Sequence, residues 1–193
     1  MTTTRDAGQF SRPAPGEACP EAWFEAFTTG LRGEEALLAM LLPRVAPEVS
    51  VVAAAALGLQ RAAPEESLEL RLEAPTGDGL TRVDMVVCPA GSDSRWAFEW
   101  KLLWQLGPRE CVAGIQRDLV KLQGRQRSAV VVFAYAVHEA PAYCHARVTK
   151  ESLPTTVAHA VEKLGQPYRS SPMFTIEQLG IHAKYQVLAW VPR

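Results

Sequence analysis

No apolar run in this 193-residue chain exceeds nine residues, the longest being Val51 to Leu59 and Ala129 to Val137. A helix that spans a bilayer needs roughly 18 or more, so no transmembrane segment and no membrane partner are expected. The start of the chain also lacks the basic stretch followed by an apolar stretch that marks a secretory leader, which gives a cytoplasmic location as the expectation. Cysteine is scarce: Cys19, Cys88, Cys111 and Cys144 are far apart, with no C-x-x-C pair, and read as reduced thiols rather than a disulfide framework or a zinc ribbon. Charge of one sign is missing as well. Twenty Lys and Arg against 21 Asp and Glu leave a net charge of -1, which excludes a strongly basic, histone-like nucleic-acid binder but leaves room for a local basic groove. Neither G-x-x-x-x-G-K nor G-x-G-x-x-G occurs, so phosphate loops of those types are excluded. No G-x-S-x-G elbow is available for a serine hydrolase. His138, His145, His159 and His182 show no metal-binding spacing and read as surface or loop histidines.

What remains is the ordinary composition of a globular domain, 48% hydrophobic and 21% charged. Residues 1–20 are rich in Thr, Pro and Gly without apolar periodicity and are expected to be a flexible tail, followed by one domain over 21–193. Helices are predicted over Glu21–Phe27, Glu34–Leu42 and Pro47–Ala62. From Ser67 the period becomes two, with Leu68, Leu70 and Leu72 facing one way. A strand there is followed by turn residues from Ala74, a second strand over Thr81–Cys88 and a third over Arg95–Leu103. The third alternates most clearly: Trp96, Phe98, Trp100 and Leu102 share one face, and Arg95, Ala97, Glu99 and Lys101 the other. These three strands are predicted to form a meander. A helix opened by Gly107-Pro108 and ended near Gly124 leads to a continuous apolar run, Ser128–Val137, of the kind found in a strand covered on both faces. A loop over His138–Pro154, a helix over Thr155–Leu164 and a strand over Lys184–Val191 complete an α/β fold with a mixed central sheet flanked by helices.

Three residues carry the chemistry. Glu99 and Lys101 project side by side from an otherwise apolar strand, and a hairpin neighbour can bring Asp84 alongside. Two carboxylates converging on one point suit Mg²⁺ or Mn²⁺, which take hard oxygen ligands and retain water, and a lysine beside them can orient an attacking water. This is equipment for hydrolysing a phosphodiester. Trp96, Trp100 and Trp104 with Phe98 lie on the opposite face, where their spacing predicts core packing rather than base stacking.

The segments Arg82-Val83-Asp84-Met85-Val86-Val87 and Phe98-Glu99-Trp100-Lys101, followed by the helix carrying Gly114 to Leu122 and the buried strand from Ala129, resemble the PD-(D/E)xK nuclease superfamily over about Pro47 to Val137. Val83 stands where the family's eponymous proline would be. The resemblance implies a restriction-endonuclease-like fold and a metal-dependent nuclease in which Asp84, Glu99 and the main-chain carbonyl of Trp100 hold Mg²⁺ (or Mn²⁺) and Lys101 serves the nucleophilic water. It implies DNA as partner, with RNA left open, and an additional helical carboxylate, for which Glu48 is the first candidate and Glu34 or Glu35 the second. The Gln-x-x-x-Tyr helix of the RecB-like branch is not matched, since Gln116 is followed four residues later by Val120. No subfamily, oligomeric state, cleavage specificity or pathway follows from these residues.

Charge distribution points the same way. Between Arg95 and Arg127 seven basic residues face three acidic ones, whereas Leu31 to Leu80 has four arginines against eight acidic residues. Cations near the motif can bind phosphates, and equally can complement the dipole at a helix end. The competing expectation is a catalytically silent binding or assembly module on the same fold, with Asp84, Glu99 and Lys101 forming a buried charge network.

Overall fold

A strand that is apolar on both faces has to be covered on both, and Ser128–Glu139 is buried at every residue from Ser128 to Val137. A computed structural model describes residues 20–42, 48–62, 68–75, 82–89, 95–103, 108–125, 127–144, 148–149, 152–165 and 169–191. Its elements are helices α1 (Pro20–Gly33), α2 (Glu35–Leu41) and α3 (Glu48–Ala62), then strands β1 (Leu68–Pro75), β2 (Arg82–Pro89) and β3 (Trp96–Leu103). Helix α4 (Pro108–Lys121), strand β4 (Ser128–Glu139), a 3-10 turn (Ala142–Cys144) and helix α5 (Leu153–Leu164) follow, and then β5 (Arg169–Ser170), β6 (Phe174–Gln178) and β7 (Ile181–Trp190). No helix among the described residues is long and apolar enough to cross a membrane.

The seven strands form one open sheet in the order β1-β2-β3-β4-β7-β5, with β6 also paired to β7. The first three strands are the expected antiparallel meander. Strand β4 runs parallel to β3, a connection that requires a crossover, and α4 supplies it. The sheet is therefore mixed. On one face α1, α2 and α3 cover Met85, Val87, Trp96, Phe98 and Trp100 together with the alternate residues of β4 and β7. On the other, α4 and α5 cover Leu103, Val130, Val132, Ala134 and Ala136. Phe27 of α1 stands edge-on to both Phe98 and Trp100, at ring separations of 4.9 and 5.2 Å, in a geometry worth about 1 kcal/mol per pair beyond area burial. Helices α1 and α3 touch backbone to backbone at Gly30 and Gly58. A Cβ on Gly30 would lie 2.7 Å from the carbonyl carbon of Gly58.

Most predicted elements stand with ends shifted by a few residues. Helix α1 is longer than expected because its buried stripe of Trp23, Phe24, Phe27 and Leu31 continues beyond Phe27. The loop expected over His138–Pro154 is shorter, since β4 runs to Glu139, a 3-10 turn follows and α5 starts at Leu153. His138 and His182 are consequently strand residues on β4 and β7, half-buried with rings 5.6 Å apart, rather than loop histidines. Strands β5 and β6 are not among the elements expected from the sequence. Residues 1–19, Trp104 and His145 lie outside the described residues.

Candidate active site

The site is built where two ladders fail. Strand β2 pairs with β3 through Val87–Trp96, Val86–Ala97 and Met85–Phe98, and the pairing ends there, one position short of setting Asp84 opposite Glu99. The β1–β2 ladder also passes over Asp84, from Leu72–Met85 to Ala74–Val83. Glu73, between those pairs, has a φ of 50°, an unfavourable conformation for a residue with a Cβ. Across the break Val83 joins the core on the α4 face.

Opening a ladder frees backbone groups that must find other partners. Asp84 provides one, its Oδ2 accepting a hydrogen bond of 2.7 Å from the main-chain N–H of Trp100. The carboxylate thereby substitutes for a strand and ties β2 to β3 at the motif. The period of β3 holds as expected: Trp96, Phe98 and Trp100 enter the core on the α1–α3 face, while Glu99 and Lys101 turn toward α4.

Lys101 is the hub. Its Nζ donates to Glu48 Oε1 at 2.7 Å and to the Trp100 carbonyl at 3.0 Å, and lies 3.3 Å from Asp118 Oδ2. Burial pulls the value of this ammonium down, but the hydrogen bond to Glu48 and the charges of Glu48, Asp118 and Asp84 outweigh it and leave it above the usual range for lysine. Lys101 is thus firmly protonated at neutral pH. Glu48, in the first turn of α3, has a raised value through burial, opposed by Lys101.

Glu99 is 2% exposed. Its Oε1 is in ion-pair contact with Lys121 Nζ at the end of α4, without the alignment of a hydrogen bond. Burial pushes the Glu99 carboxyl up to about 7, Lys121 works against that, and the charges of Asp84 and Asp118 add to it. Lys121 also donates to the main-chain carbonyl of Arg82 at the start of β2.

Asp84, Glu99 and Lys101 are therefore gathered at one place, and of the three helical carboxylates considered, Glu48 reaches them. Glu34 is buried against Arg61 instead. Glu35 accepts a long hydrogen bond, 3.4 Å, from Tyr185, whose hydroxyl is held neutral chiefly by burial. Gln116 and Val120 are exposed on α4. Asp118 and Lys121 escaped the sequence reading because they arrive from a helix, across space. Their signal is the spacing Gly114-x-x-x-Asp118-x-x-Lys121, which puts all three on one helical face. Gly114 belongs to it because the Lys101 side chain runs past: a Cβ there would sit 3.6 Å from Lys101 Cδ.

The donors can be tested against the divalent ion that the resemblance implies. Two carboxylates and a main-chain carbonyl are hard oxygens of the type Mg²⁺ takes together with waters. Glu99 Oε1 and Asp118 Oδ2 are buried and aligned for no hydrogen bond. Among the described residues no three His, Cys, Asp or Glu side chains are grouped to hold a metal on their own, so an ion here would keep much of its water. In kind the donor set fits Mg²⁺. Four carboxylates, Glu48, Asp84, Glu99 and Asp118, against the ammoniums of Lys101 and Lys121 also leave two negative charges over when all are ionised. Compared with protein-family models, with curated proteins and with solved structures, the chain matches none.

Proposed function

We propose that the chain is a metal-dependent nuclease that hydrolyses DNA phosphodiester bonds, on a restriction-endonuclease-like fold of the PD-(D/E)xK type. The observation that carries this reading is the convergence of Asp84, Glu99 and Lys101 with Glu48 at the open end of the β2–β3 ladder. Ionised groups half-removed from water rarely outperform apolar packing in stability.

Asp84, Glu99 and the Trp100 carbonyl would hold the Mg²⁺, which supplies Lewis acidity and charge neutralisation at the phosphate. Lys101 orients the attacking water or a phosphate oxygen and stabilises the negative charge that grows during attack. Glu48 and Asp118 hold that ammonium in place from two helices. Of the cations counted near the motif, Lys101 and Lys121 turn inward, and Arg109 and Arg117 are exposed on α4, where they can meet the nucleic-acid backbone.

The test is incubation with labelled single- and double-stranded DNA, and with RNA, in Mg²⁺, in Mn²⁺ and in EDTA. Cleavage is expected with either metal, abolished by EDTA and reduced about 10²–10³-fold or more by Asp84→Asn or Glu99→Gln. Glu48→Gln should slow single-turnover cleavage, while Glu34→Gln and Glu35→Gln should not. The absence of both cleavage and Mn²⁺ binding would favour a silent module. The observation on that side is that both lysines already pair with the carboxylates.

A further inference from the structure

Lys101 and Lys121 pair with different carboxylates of the site. Lys101 engages Glu48, Asp118 and the Trp100 carbonyl, and so leaves both Glu99 and Asp84 untouched. Lys121 takes Glu99 itself, and reaches there from the last turn of α4 while holding the Arg82 carbonyl of β2. Its side chain is 28% exposed, against 3% for Glu99. A buried carboxylate needs a counter-charge to remain ionised, and an ammonium and a divalent ion brought to the same carboxylate oxygen repel each other. A positive group that binds Glu99 Oε1 competes with this ammonium, whose partial exposure gives it a way out to water.

We propose that Lys121 is a resident cation of the site: it occupies Glu99 in the metal-free protein and a divalent ion binds by exchanging with it, the lysine withdrawing to solvent and the Arg82 carbonyl. This rests on the metal-dependent reading and adds a positioning residue to it. Metal binding then becomes an exchange of one cation for another, and the metal-free protein keeps the motif strands β2 and β3 together through α4.

The experiment is calorimetric titration with Mn²⁺. It compares wild type, Lys121→Gln, Lys121→Arg and, as a control for the lost charge, Lys163→Gln near the end of α5. Thermal midpoints of each with and without Mn²⁺ accompany it. Lys121→Gln is expected to bind Mn²⁺ roughly fivefold tighter, the scale of removing one partly exposed competing ion pair. It should also melt lower without metal and gain more from Mn²⁺ than wild type does. Lys121→Arg, which retains the cation, and Lys163→Gln should bind as wild type does. If wild type and Lys121→Gln bind equally, or if Lys163→Gln tightens binding as much, the exchange is overturned and the metal-dependent reading stands. Binding by Lys121→Gln alone supports the resident cation and overturns metal dependence in the natural chain. Binding by neither overturns both.

Discussion

The two faces of β3 belong to one strand and obey opposite rules. On the α1–α3 face, Trp96, Phe98 and Trp100 meet Phe27 and the close crossing of α1 with α3. On the α4 face, Ala97 gives way to Glu99 and Lys101, held among carboxylates that come from α3, β2 and α4. The difference begins with pairing. Strand β3 is bonded to β4 from Ala97 to Leu103 but to β2 only as far as Phe98. Where both ladders run, apolar side chains suffice; where one stops, polar groups must complete the backbone, and the charges collect there. A stable face can thus hold steady a face that is electrostatically unsettled.

The largest effect is expected at the helix crossing. Gly30→Ala forces a Cβ against the Gly58 backbone and should destabilise the fold by about 3 kcal/mol or more, read by urea denaturation. Next comes pH. The folded chain holds a proton on Glu99 up to about 7, whereas the unfolded chain releases it near the ordinary value of 4.5. Over that interval the native state binds more protons, so stability of the metal-free protein should fall as pH rises between those values and level off above them. The fall attributable to Glu99 is at most about 3 kcal/mol. Thermal midpoints of Glu99→Gln across the same range should lack that component. A smaller loss, about 1–2 kcal/mol, is expected for Lys101→Met, which leaves Glu48 and Asp118 facing each other without their shared ammonium. Adding Asp118→Asn in the same chain should recover part of it, and a double-mutant cycle measures how much. Least of all, Gly114→Ala should be tolerated or stabilise by about 0.5–1 kcal/mol, because a Cβ there makes ordinary contact with the Lys101 side chain and alanine favours helix. A loss as large as that at Gly30 would mean that the charged face is packed as tightly as the apolar one.

Much of this was legible because a strand's period is two. The alternation of Trp96 to Leu102 gave the face of Glu99 and Lys101 directly, and the runs around Asp84 and Val130 supplied its neighbours. Two kinds of feature were not. Strand β6 presents Thr175, Glu177 and Gln178 to solvent and buries chiefly Ile176, too little apolar pattern to stand out. Its turn to β7 is Leu179-Gly180, with φ values of 56° and 74°. Leucine is not a residue that announces such a turn, as asparagine would. Hence the sequence predicts β7 only from Lys184, although Ile181, Ala183, Tyr185 and Val187 alternate fully with His182, Lys184 and Gln186. The second kind is the break in pairing at Asp84, which depends on three strands at once and on the unusual backbone of Glu73. No local pattern encodes it. Asp118 and Lys121 were likewise visible only as charges on a helix until the strand they face was in place.

Strand β4 lies in the middle of the sheet, yet its two partners are made at very different times. Strand β3 precedes it, and β7, its other neighbour, begins more than forty residues after β4 ends. During synthesis a wholly apolar strand therefore waits with one edge unpaired until residues 181–190 have left the ribosome. An emerging chain of this kind is exposed to association through that edge. Whatever holds β4 in the interim, a chaperone or the early docking of α4 and α5 onto its face, bears on how much of the protein reaches its native form at all.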